Sequence, residues 1–377
     1  MSRVKLGDVA REYKATVKDN SGFPIVGLEH LSPGEITLDR WDTDVETTFT
    51  KSFKKGHMLF GRRRAYLKKA AVAPFDGVCS GDIIVIEAIP GKINPDLLPF
   101  IIQNDLLFDY AVGNSSGSLS PRVKWESLKG YEFELPEISK QTELVDLLEA
   151  AYSTKKAYQQ QIIVTDKLVK SQFIELFGDP ETNPFGWRMG TIRDIVSDVR
   201  YGSSRKASID GKYPYLRMNN ITYGGELDLT DVKRINIPDD EIDRCSVRKG
   251  DVLFNRTNSK ELVGKTCLYD REELMVLAGF VIRVRVNEKA IPEFLAQYMN
   301  LPYIKELLLS MCKAACGQAN INAQELQNIP IYIPPVEAQK QFVGFKEQLD
   351  KSKFELKQAI ANISELMKSL IQQDFSN

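Results

Sequence analysis

The sequence of 377 residues contains a pattern of short segments that recurs in its second half. Five segments reappear in the same order, at offsets of roughly 190 to 200 positions. The matched segments are 24–31 with 214–221, 55–62 with 249–256, 81–86 with 279–284, Ser116-Gly117 with Cys316-Gly317, and Pro136, Gln141 and Val145 with Pro334, Gln339 and Val343. Ordered matches with a slowly drifting offset indicate an internal duplication with small loop insertions. Chance recurrence of short strand-and-turn patterns is the alternative.

Each half ends in a long stretch that is nearly free of glycine and proline. The first runs from Ser139 to Phe177 and the second from Glu337 to Phe375, with only Gly344 inside it. Both are rich in Gln, Lys, Glu and Leu, which favour helix. Apolar residues recur at alternating spacings of three and four, which is the heptad pattern of a coiled coil. They are Leu144, Leu148, Ala151, Tyr158, Ile162, Val169 and Leu176, then Phe342, Leu349, Leu356, Ile360, Ile363, Met367 and Leu370.

The length of these two predicted helices constrains the arrangement of the chain. At 1.5 Å per residue each helix would span roughly 57 Å, which is too long for its apolar stripe to be buried on one small domain. We therefore expect the two helices to pair with each other. If they pair antiparallel, the chain order would place the two mixed domains at opposite ends of a rigid bar, related by a pseudo-two-fold axis. Two ordinary surface helices are the alternative.

The region before each long stretch has the pattern of an α+β domain. Short β-branched runs such as 83–86 and 281–284 are separated by glycine, proline, asparagine and serine, which predicts strands and loops. We expect one helix near 96–112, its counterpart near 291–312, and closing strands at 131–136 and 329–335. The predicted boundaries are 1–136 for the first mixed domain, 137–178 for the first helix, 179–186 for a Pro- and Gly-rich hinge, 187–335 for the second mixed domain and 336–377 for the second helix.

Charge and hydropathy limit the class of protein. Lys and Arg number 50 and Asp and Glu 51, so a nucleic-acid surface has to be a local basic patch. No apolar run reaches the ~18 residues of a membrane span, and we expect a soluble, cytoplasmic protein. Five cysteines without paired spacing predict buried, reduced thiols and not a disulfide framework. They are Cys79, Cys245, Cys267, Cys312 and Cys316.

The residues of common catalytic and metal sites are scarce. There are only two histidines, His30 and His57, which weakens histidine-based catalysis and most metal schemes. The glycine-rich nucleotide motifs and the Asn/Asp-Pro-Pro-aromatic motif of adenine methyltransferases do not occur. Asp210-Gly211-Lys212, with Asp198 upstream, imitates part of a nuclease site, but a polar turn is the simpler interpretation. We expect no catalytic centre and no metal site.

The end of the second repeat resembles a known family. Gly317-Gln318-Ala319-Asn320-Ile321 is followed by Leu326, Ile329-Pro330, Pro334-Pro335, Glu337 and Gln339. This pattern is similar to the end of a target-recognition domain in the specificity subunits of Type I restriction–modification enzymes, the HsdS family. Segments 177–187 and 249–254 resemble the family's linker and mid-domain strand. In the first half, Ser116-Gly117-Ser118 and Pro136-Glu137-Ile138 depart from the pattern.

The resemblance implies a fold, a function and partners. It implies two target-recognition domains separated by two long antiparallel helices that form a coiled coil. Each domain would read one half-site of a bipartite DNA target, and the helices would set the spacer. The helices would also dock two methyltransferase subunits that bring S-adenosylmethionine, and a motor-nuclease subunit using ATP and Mg²⁺ joins some complexes. The chain itself would be non-catalytic and bind no cofactor. The predicted coiled-coil and docking residues are Leu144, Leu148, Ile162, Val169, Leu349, Leu356, Ile360, Ile363 and Met367.

Two other functions remain as alternatives at this point. One is a stand-alone DNA-processing nuclease, and the other is a coiled-coil protein adaptor that binds no DNA. The aligned clusters of Arg and Asn in the two halves favour DNA binding over the adaptor.

Side chains suited to DNA contact cluster at a few places. Arg and Lys suit guanine, Asn and Gln suit adenine, and cations or hydroxyls suit phosphate. The candidates are Arg62, Arg63, Arg64, Tyr66 and Lys68, the aligned Asn255, Arg256, Asn258 and Lys260, then Arg217, Asn219 and Asn220, Tyr201 and Ser203, and Gln318 and Asn320. The alternatives are a solvated loop for the first cluster and for Tyr201 and Ser203, turn caps for Asn219 and Asn220, and a structural role for Gln318 and Asn320.

Overall fold

The computed structural model describes residues 2–259, 262–312 and 319–375. The chain forms two compact units, which are Met1–Gln160 with Leu356–Asn377, and Gln161–Glu355. Unit 1 and unit 2 therefore each contain one mixed domain and one half of each long helix. The units divide the helices near their midpoints and not at their ends, because each half-helix packs on the mixed domain of its own unit.

Both units consist of short strands, short helices and a share of the two long helices. Unit 1 contains β1 (Ser2–Lys5), α1 (Leu6–Val9), β2 (Ala10–Glu12), β3 (Ala15–Thr16), β4 (Ile25–Val26), β5 (Lys51–Phe53), β6 (Met58–Gly61), β7 (Ala70–Val72), β8 (Gly77–Cys79), β9 (Ile83–Ala88), α2 (Leu98–Ile102), α3 (Asp105–Gly113), α4 (Trp125–Leu128), β10 (Glu132–Leu135) and the start of α5 (Ile138–Phe177). Unit 2 contains the rest of α5, then β11 (Met189–Thr191), β12 (Val196–Tyr201), β13 (Tyr213–Leu216), β14 (Lys233–Ile235), α6 (Asp239–Cys245), β15 (Ser246–Val247), β16 (Val252–Asn255), β17 (Thr257–Asn258), β18 (Thr266–Leu268), β19 (Met275–Leu277), β20 (Val281–Val286), α7 (Pro292–Tyr298), α8 (Pro302–Met311), β21 (Ala319–Asn320), α9 (Ala323–Gln327), β22 (Pro330–Tyr332) and the start of α10 (Val336–Phe375).

The two mixed domains, called domain 1 and domain 2, share their sheet topology. One antiparallel sheet has the order β2-β9-β6-β7 in domain 1 and β12-β20-β16-β18 in domain 2. A second sheet contains the parallel pair β4 and β8 in domain 1, and β13 and β19 in domain 2. The central register also agrees, since Met58 lies opposite Ile86 as Val252 lies opposite Val284. The predicted duplication and α+β fold are confirmed.

Equivalent side chains also make equivalent hydrogen bonds in the two domains. Lys69 Nζ donates to the carbonyl of Leu28 at 2.7 Å, and Lys265 Nζ donates to the carbonyl of Met218 at 2.8 Å. Both carbonyls belong to the first residue of a short 3-10 turn. The repeat therefore extends from strand order to individual contacts.

The single helix expected near 96–112 is two helices, and so is its counterpart near 291–312. α2 ends at Ile102, and Asn104 caps the start of α3. The Asn104 side chain accepts a hydrogen bond from the Leu106 N–H at 3.0 Å. In domain 2, Pro302 begins α8, and proline disfavours helical geometry in the residue before it. The apolar spacing alone did not show these breaks.

In unit 1 both long helices contribute to the core of domain 1. Leu144, Val145 and Leu148 of α5 and Met367 and Ile371 of α10 belong to one buried apolar cluster. The same cluster contains strand residues of β6 and β9 and most of α2. The half-helices of this unit are therefore integral to the domain's core.

In unit 2 the long helices meet domain 2 at a set of closely packed aromatic rings. Phe173 of α5 lies 5.0 Å from Phe342 of α10 and 5.4 Å from Phe294 of α7, measured between ring centroids. Phe177, one turn later in α5, lies 4.8 Å from Phe173. All four rings are almost fully buried.

The two helices pair antiparallel. In unit 2, Phe173 contacts Phe342, whereas the earlier residue Asp166 pairs with the later residue Lys353. Of the predicted coiled-coil residues, Leu144, Leu148, Val169 and Met367 are buried and Ile162, Leu349, Leu356, Ile360 and Ile363 are partly buried. The placement of the domains at opposite ends of a bar stays a prediction.

A lysine on a long helix anchors a loop carboxylate of the mixed domain in each unit. In unit 1, Lys156 Nζ lies 2.8 Å from Glu35 Oε2, and the Tyr152 hydroxyl donates to the same oxygen at 2.9 Å. In unit 2, Lys353 Nζ lies 3.1 Å from Glu226 Oε1 and 2.5 Å from Asp166 Oδ1. Lys353, which stands between the heptad residues Leu349 and Leu356, therefore connects α10 to α5 and to domain 2.

A buried glutamine fastens the start of each long helix. Gln141 Oε1 accepts from the Asn94 N–H at 2.8 Å, and its Nε2 donates to the Pro136 carbonyl at 2.8 Å. Gln339 Oε1 accepts from the Ile291 N–H at 2.8 Å, and its Nε2 donates to the carbonyl of Pro334 at 2.9 Å. The two glutamines matched in the sequence repeat thus have the same structural role.

Replacing Gln339 with Leu is expected to destabilise the protein by about 2–4 kcal/mol, because buried backbone groups lose their partners. The matched control is Gln348→Leu on an exposed position of the same helix, which should change stability by less than about 0.5 kcal/mol. Urea unfolding monitored by circular dichroism measures both variants. Equal unfolding midpoints for the two variants would contradict the role of Gln339.

The cysteines and the hydropathy of the helices bear on two further expectations. Cys79, Cys245, Cys267 and Cys312 are buried and are not joined in disulfides, and Cys316 lies outside the described residues. Burial raises the pKa of Cys79 and of Cys267 to about 12, so both stay protonated. Within the described ranges, the helices all fall short of the length and apolar character that crossing a membrane requires.

Candidate nucleic-acid interface

Three sequence-predicted residues from separate segments converge in domain 2. Arg256 follows the end of β16, where its N–H donates to the Phe280 carbonyl at 3.0 Å and its carbonyl accepts from the Ile321 N–H at 2.9 Å. Asn320 lies opposite Thr257 in the β17–β21 pair. Tyr201 ends β12, and its ring centroid lies 4.8 Å from the Arg256 guanidinium.

Side-chain hydrogen bonds hold this group together. Arg256 Nε donates to Asn320 Oδ1 at 3.1 Å, and the Thr257 hydroxyl donates to the same oxygen at 2.8 Å. The Tyr201 hydroxyl oxygen accepts from the Ala323 N–H at 2.8 Å. We call Tyr201, Arg256, Thr257 and Asn320 the domain 2 cluster.

The local sequence explains why Asn320 and Ala323 are well placed. Asn322 caps α9, since its Oδ1 accepts from the N–H groups of Gln324 and Glu325. Glu325 in turn accepts from the Asn322 N–H at 2.9 Å, which completes a capping box. The rigid start of α9 thereby positions the residues on both sides of Ile321.

Domain 1 has a cluster at the equivalent position. The Arg62 N–H donates to the Asp82 carbonyl at 2.9 Å and the Arg62 carbonyl accepts from the Val123 N–H at 3.0 Å, as at Arg256. Arg63 forms a β-bridge with Arg122, so Arg122 occupies the position of Asn320. We call Arg62, Arg63, Asp82 and Arg122 the domain 1 cluster.

The charge of the domain 1 cluster is positive. Arg122 Nε and Nη2 bind the two oxygens of Asp82 at 2.7 and 3.2 Å, and Arg63 Nη1 lies 3.6 Å from Asp82 Oδ2. The hydrogen bond from Arg122, together with the charges of all three arginines, lowers the pKa of Asp82. Three guanidinium groups therefore face one ionised carboxylate. The cluster therefore carries a local excess of positive charge.

The other predicted DNA-contact residues between positions 62 and 69 differ in whether their side chains already have a partner. Arg64 and Tyr66 are exposed, and their side chains form no hydrogen bond within the described part of the chain. Lys68 Nζ lies 2.5 Å from Asp105 Oδ1, so a carboxylate already neutralises it. Arg64 and Lys68 both have left-handed backbone conformations, with φ of 54° and 51°, which flank the short turn that carries Tyr66.

Three predicted DNA-binding residues are structural and need correction. Ser203 is buried, and its Oγ accepts from the Arg205 N–H at 3.2 Å. Asn220 is buried and caps a turn, since its Oδ1 accepts from the Arg217 N–H and its Nδ2 donates to the carbonyls of Asp228 and Asp231. Asn255 is fully buried at the end of β16. Each side chain points into the domain, where it serves backbone groups or is enclosed.

The other predicted residues of domain 2 lie outside the cluster. Arg217 Nη2 binds Asp231 Oδ2 at 2.8 Å, which neutralises its charge. Asn219 is exposed, whereas Asn258 is partly exposed and accepts from the Ser259 N–H at 2.8 Å. Lys260 and Gln318 lie outside the described residues.

Sequence reasoning missed Asp82, Arg122 and Thr257. A signal for Arg122 was present, because Pro121-Arg122-Val123 can be aligned with Ala319-Asn320-Ile321 when the preceding loop is allowed two more residues. Asp82 and Thr257 carried no comparable signal, since their partners are distant in sequence.

The groups considered for catalysis are engaged in other contacts. Asp198, the upstream acid of the nuclease-like pattern, binds Arg200 and Arg283, each at 2.7 Å. Burial opposes its ionisation, but these two hydrogen bonds lower the pKa of Asp198 overall. Burial lowers the pKa of His57. Across residues 2–259, 262–312 and 319–375, there is no group of three or more His, Cys, Asp or Glu side chains that could hold a metal ion.

Comparison with known proteins gives consistent matches. The family model described as "Type I restriction modification DNA specificity domain" matches residues 2–164 and 184–365. The type I restriction enzyme EcoKI specificity subunit of Escherichia coli K12 is 25% identical over an alignment of 287 positions that covers 70% of this chain and 62% of that protein. The putative MjaX specificity subunit of Methanocaldococcus jannaschii is 26% identical over 51% of this chain and 46% of its own length. The chain thus spans less than two thirds of either relative.

Two solved structures share the fold. A chain from a study of complex assembly and conformational transition of the type I R-M system has a TM-score of 0.57 at 19% identity, covering 99% of this chain and 97% of its own. The type I restriction-modification S subunit from M. genitalium has a TM-score of 0.54 at 13% identity, covering 100% and 96%. With the family model matching both repeats over most of the sequence, the chain belongs to the family of the type I restriction modification DNA specificity domain.

Proposed function

We propose that this chain is the DNA-specificity subunit of a type I restriction–modification complex and that each mixed domain reads one half of a bipartite DNA target. The observation that carries the proposal is the equivalence of the two clusters. In both domains, arginine follows an inner strand of the antiparallel sheet, which is β6 in domain 1 and β16 in domain 2. The segment that comes before the closing strand, β10 or β22, forms backbone hydrogen bonds with this position. Two copies of one binding position in one chain suit a target with two parts.

The chemistry of the clusters suits DNA. Arginine binds phosphate and the guanine edge through paired N–H donors, and asparagine and threonine add directional hydrogen bonds. The excess of guanidinium over carboxylate in the domain 1 cluster attracts the phosphate backbone. Arg64 and Tyr66, which follow this cluster in the sequence, are exposed and could add further contacts to DNA.

The exposed apolar residues of the long helices support the docking of partner subunits. In unit 1, Leu147 and Leu366 are more than half exposed. In unit 2, the exposed set is Ile163, Val164, Leu168 and Phe354, with Phe354 exposed by 61%. Large apolar side chains on helices whose other faces are already packed indicate a further protein partner. The partners we propose are two methyltransferase subunits.

In this proposal the partner subunits supply the chemistry. The methyltransferase subunits bring S-adenosylmethionine, and a motor-nuclease subunit, where one is present, brings ATP and Mg²⁺. The described residues of this chain contribute recognition and docking surfaces. The specificity subunit therefore acts as a non-catalytic part of the complex, inside the cell with the DNA that it reads.

Single-molecule methylome sequencing of the host tests the proposal. A methylated motif with two half-sites and a spacer should disappear when the chain is deleted and return on complementation. The complex of this chain with its methyltransferase partner should bind that motif, and Arg63→Ala should reduce the slope of log K against log salt by about 0.9 for one lost phosphate contact. Arg3→Ala, an exposed arginine paired with Glu132, is the control. Persistence of every methylated motif after deletion would refute the proposal.

A further inference from the structure

We infer that Arg256 reads a guanine in the half-site of domain 2, and that Asn320 and Tyr201 are the positioning residues that orient it. This inference rests on the proposed function and names a base within the target. It concerns the domain 2 cluster alone, because the domain 1 cluster has a different set of partners.

The first step is that Arg256 is held at one end and free at the other. Its Nε donates to Asn320 Oδ1 at 3.1 Å, and its guanidinium carbon lies over the Tyr201 ring, 4.8 Å from the ring centroid. Within the described residues neither Nη nitrogen has a hydrogen-bond partner, and no carboxylate pairs with this guanidinium. The two terminal Nη groups therefore form a fork of donors in a restrained orientation.

Other arginines of domain 2 contrast with this arrangement. Arg205 Nη2 binds Glu241 Oε1 at 2.7 Å, and Arg217 Nη2 binds Asp231 Oδ2 at 2.8 Å. Their terminal nitrogens are engaged by carboxylates. An arginine side chain loses rotamer entropy when it is fixed. The contacts of Tyr201 and Asn320 fix Arg256 before DNA binds, and this reduces the entropic cost of a directional contact.

The second step is that the acceptor of Asn320 is already occupied. Asn320 Oδ1 accepts two hydrogen bonds, from Arg256 Nε and from the Thr257 hydroxyl. The amide oxygen is therefore not available to accept from the N6 amino group of adenine, which bidentate recognition of adenine requires. Of the side chains of Arg256 and Asn320, the groups that can still contact a base are the Nη donors of Arg256 and the Nδ2 donors of Asn320.

The third step is the match between donors and bases. In the major groove only guanine presents two acceptors side by side, N7 and O6, whereas adenine and cytosine each present an amino donor and thymine a single acceptor. A cluster with a restrained fork of donors selects guanine over the other three bases. Phosphate also accepts from arginine, but a phosphate contact carries no sequence information, and the experiment separates the two.

The test uses the complex of this chain with its methyltransferase partner and duplexes that carry the motif found by methylome sequencing. Each guanine of the motif is replaced in turn by 7-deazaguanine, which lacks the N7 acceptor. One substitution in one half-site should weaken binding by about tenfold for the unmodified protein. Arg256→Lys should reduce this sensitivity, because an ammonium keeps the charge but lacks the planar fork that engages N7 and O6 together.

The positioning residues are tested by their effect on the same readout. Asn320→Leu and Tyr201→Leu should reduce the discrimination between guanine and 7-deazaguanine while the salt slope stays unchanged, because the charge of Arg256 remains. Tyr201→Phe keeps the stacked ring and should retain most of the discrimination. Arg205→Lys, at an arginine of domain 2 whose Nη2 already binds Glu241, is the matched control and should leave this guanine dependence unchanged. Thermal unfolding of each variant verifies that the domain stays folded.

The outcomes separate the inference from the function that it rests on. Equal loss of affinity for all sequences in Arg256→Lys, with no guanine sensitive to the N7 deletion in the unmodified protein, would overturn the guanine assignment and leave the proposed function intact. Failure of the complex to prefer motif DNA at all would overturn the proposed function itself.

Discussion

Inserting one heptad into each long helix is expected to lengthen the spacer of the methylated motif by about three base pairs and to leave both half-sites unchanged. Seven residues add about 10.5 Å to a helix, and base pairs are spaced at about 3.4 Å. Suitable positions are Gln160/Gln161 in α5 and Glu355/Leu356 in α10, where the compact units divide. A whole heptad keeps the apolar stripe in phase. Methylome sequencing of cells that carry the variant measures the spacer.

An insertion into only one helix is the control for this experiment. Seven residues in α5 alone lengthen one helix and not its partner, so the packing of α5 and α10 in unit 1 and the Phe173–Phe342 contact in unit 2 cannot both keep their present register. That variant should be destabilised and should methylate no defined motif. If the doubly inserted variant folds and keeps the original spacer, the helices do not set the distance between the half-sites.

Replacing Phe173 with Ala is expected to lower the free energy of unfolding by about 3–5 kcal/mol. Its ring is fully buried and lies between Phe177, Phe294 and Phe342. Truncation removes the apolar contacts and leaves a cavity between α5, α7 and α10. Urea unfolding monitored by circular dichroism gives the size of the loss. A change below about 1 kcal/mol would mean that these rings do not hold the helices on domain 2.

Phe354→Ala provides a matched control on α10. Phe354 is 61% exposed, so the same truncation should change the stability of the isolated chain by less than about 0.5 kcal/mol. Because Phe354 belongs to the exposed apolar set of unit 2, the variant should instead weaken the association with the methyltransferase partner. The two phenylalanines thus separate the packing of the helices from their docking.

The duplicated architecture was predictable because its signals are local. Heptad spacing, helix-forming composition and the absence of glycine and proline act within a few turns of one helix. The matched glutamines at 141 and 339 were also found from sequence, since the same local need recurs at the start of each helix. The prediction of the residues between the two helices was less accurate, because the apolar spacing selected Leu176 where the structure buries Phe173 and Phe177.

The candidate interface was predicted only in part. Tyr201, Arg256 and Asn320 were selected by residue type, and the structure places them in contact. Ser203, Asn220 and Asn255 were selected by the same rule, but they point inward. The direction of a side chain at the end of a strand reverses with a shift of one residue. A sequence pattern that does not show which strands pair cannot specify which of these side chains point inward.

The sequence by itself determined that this protein is a duplicated α+β chain with two long heptad helices and that any DNA-binding surface on it has to be a local basic patch. Those features depend on short-range periodicity and composition, which any reader of the chain can measure. Only the tertiary structure decided which arginines face carboxylates, which amide oxygen is already occupied and which aromatic rings pack the helices onto the domains. Asp82 and Arg122 are 40 positions apart and Arg256 and Asn320 are 64 apart. Contacts over such separations depend on strand pairing and packing, and they leave no local trace in the sequence.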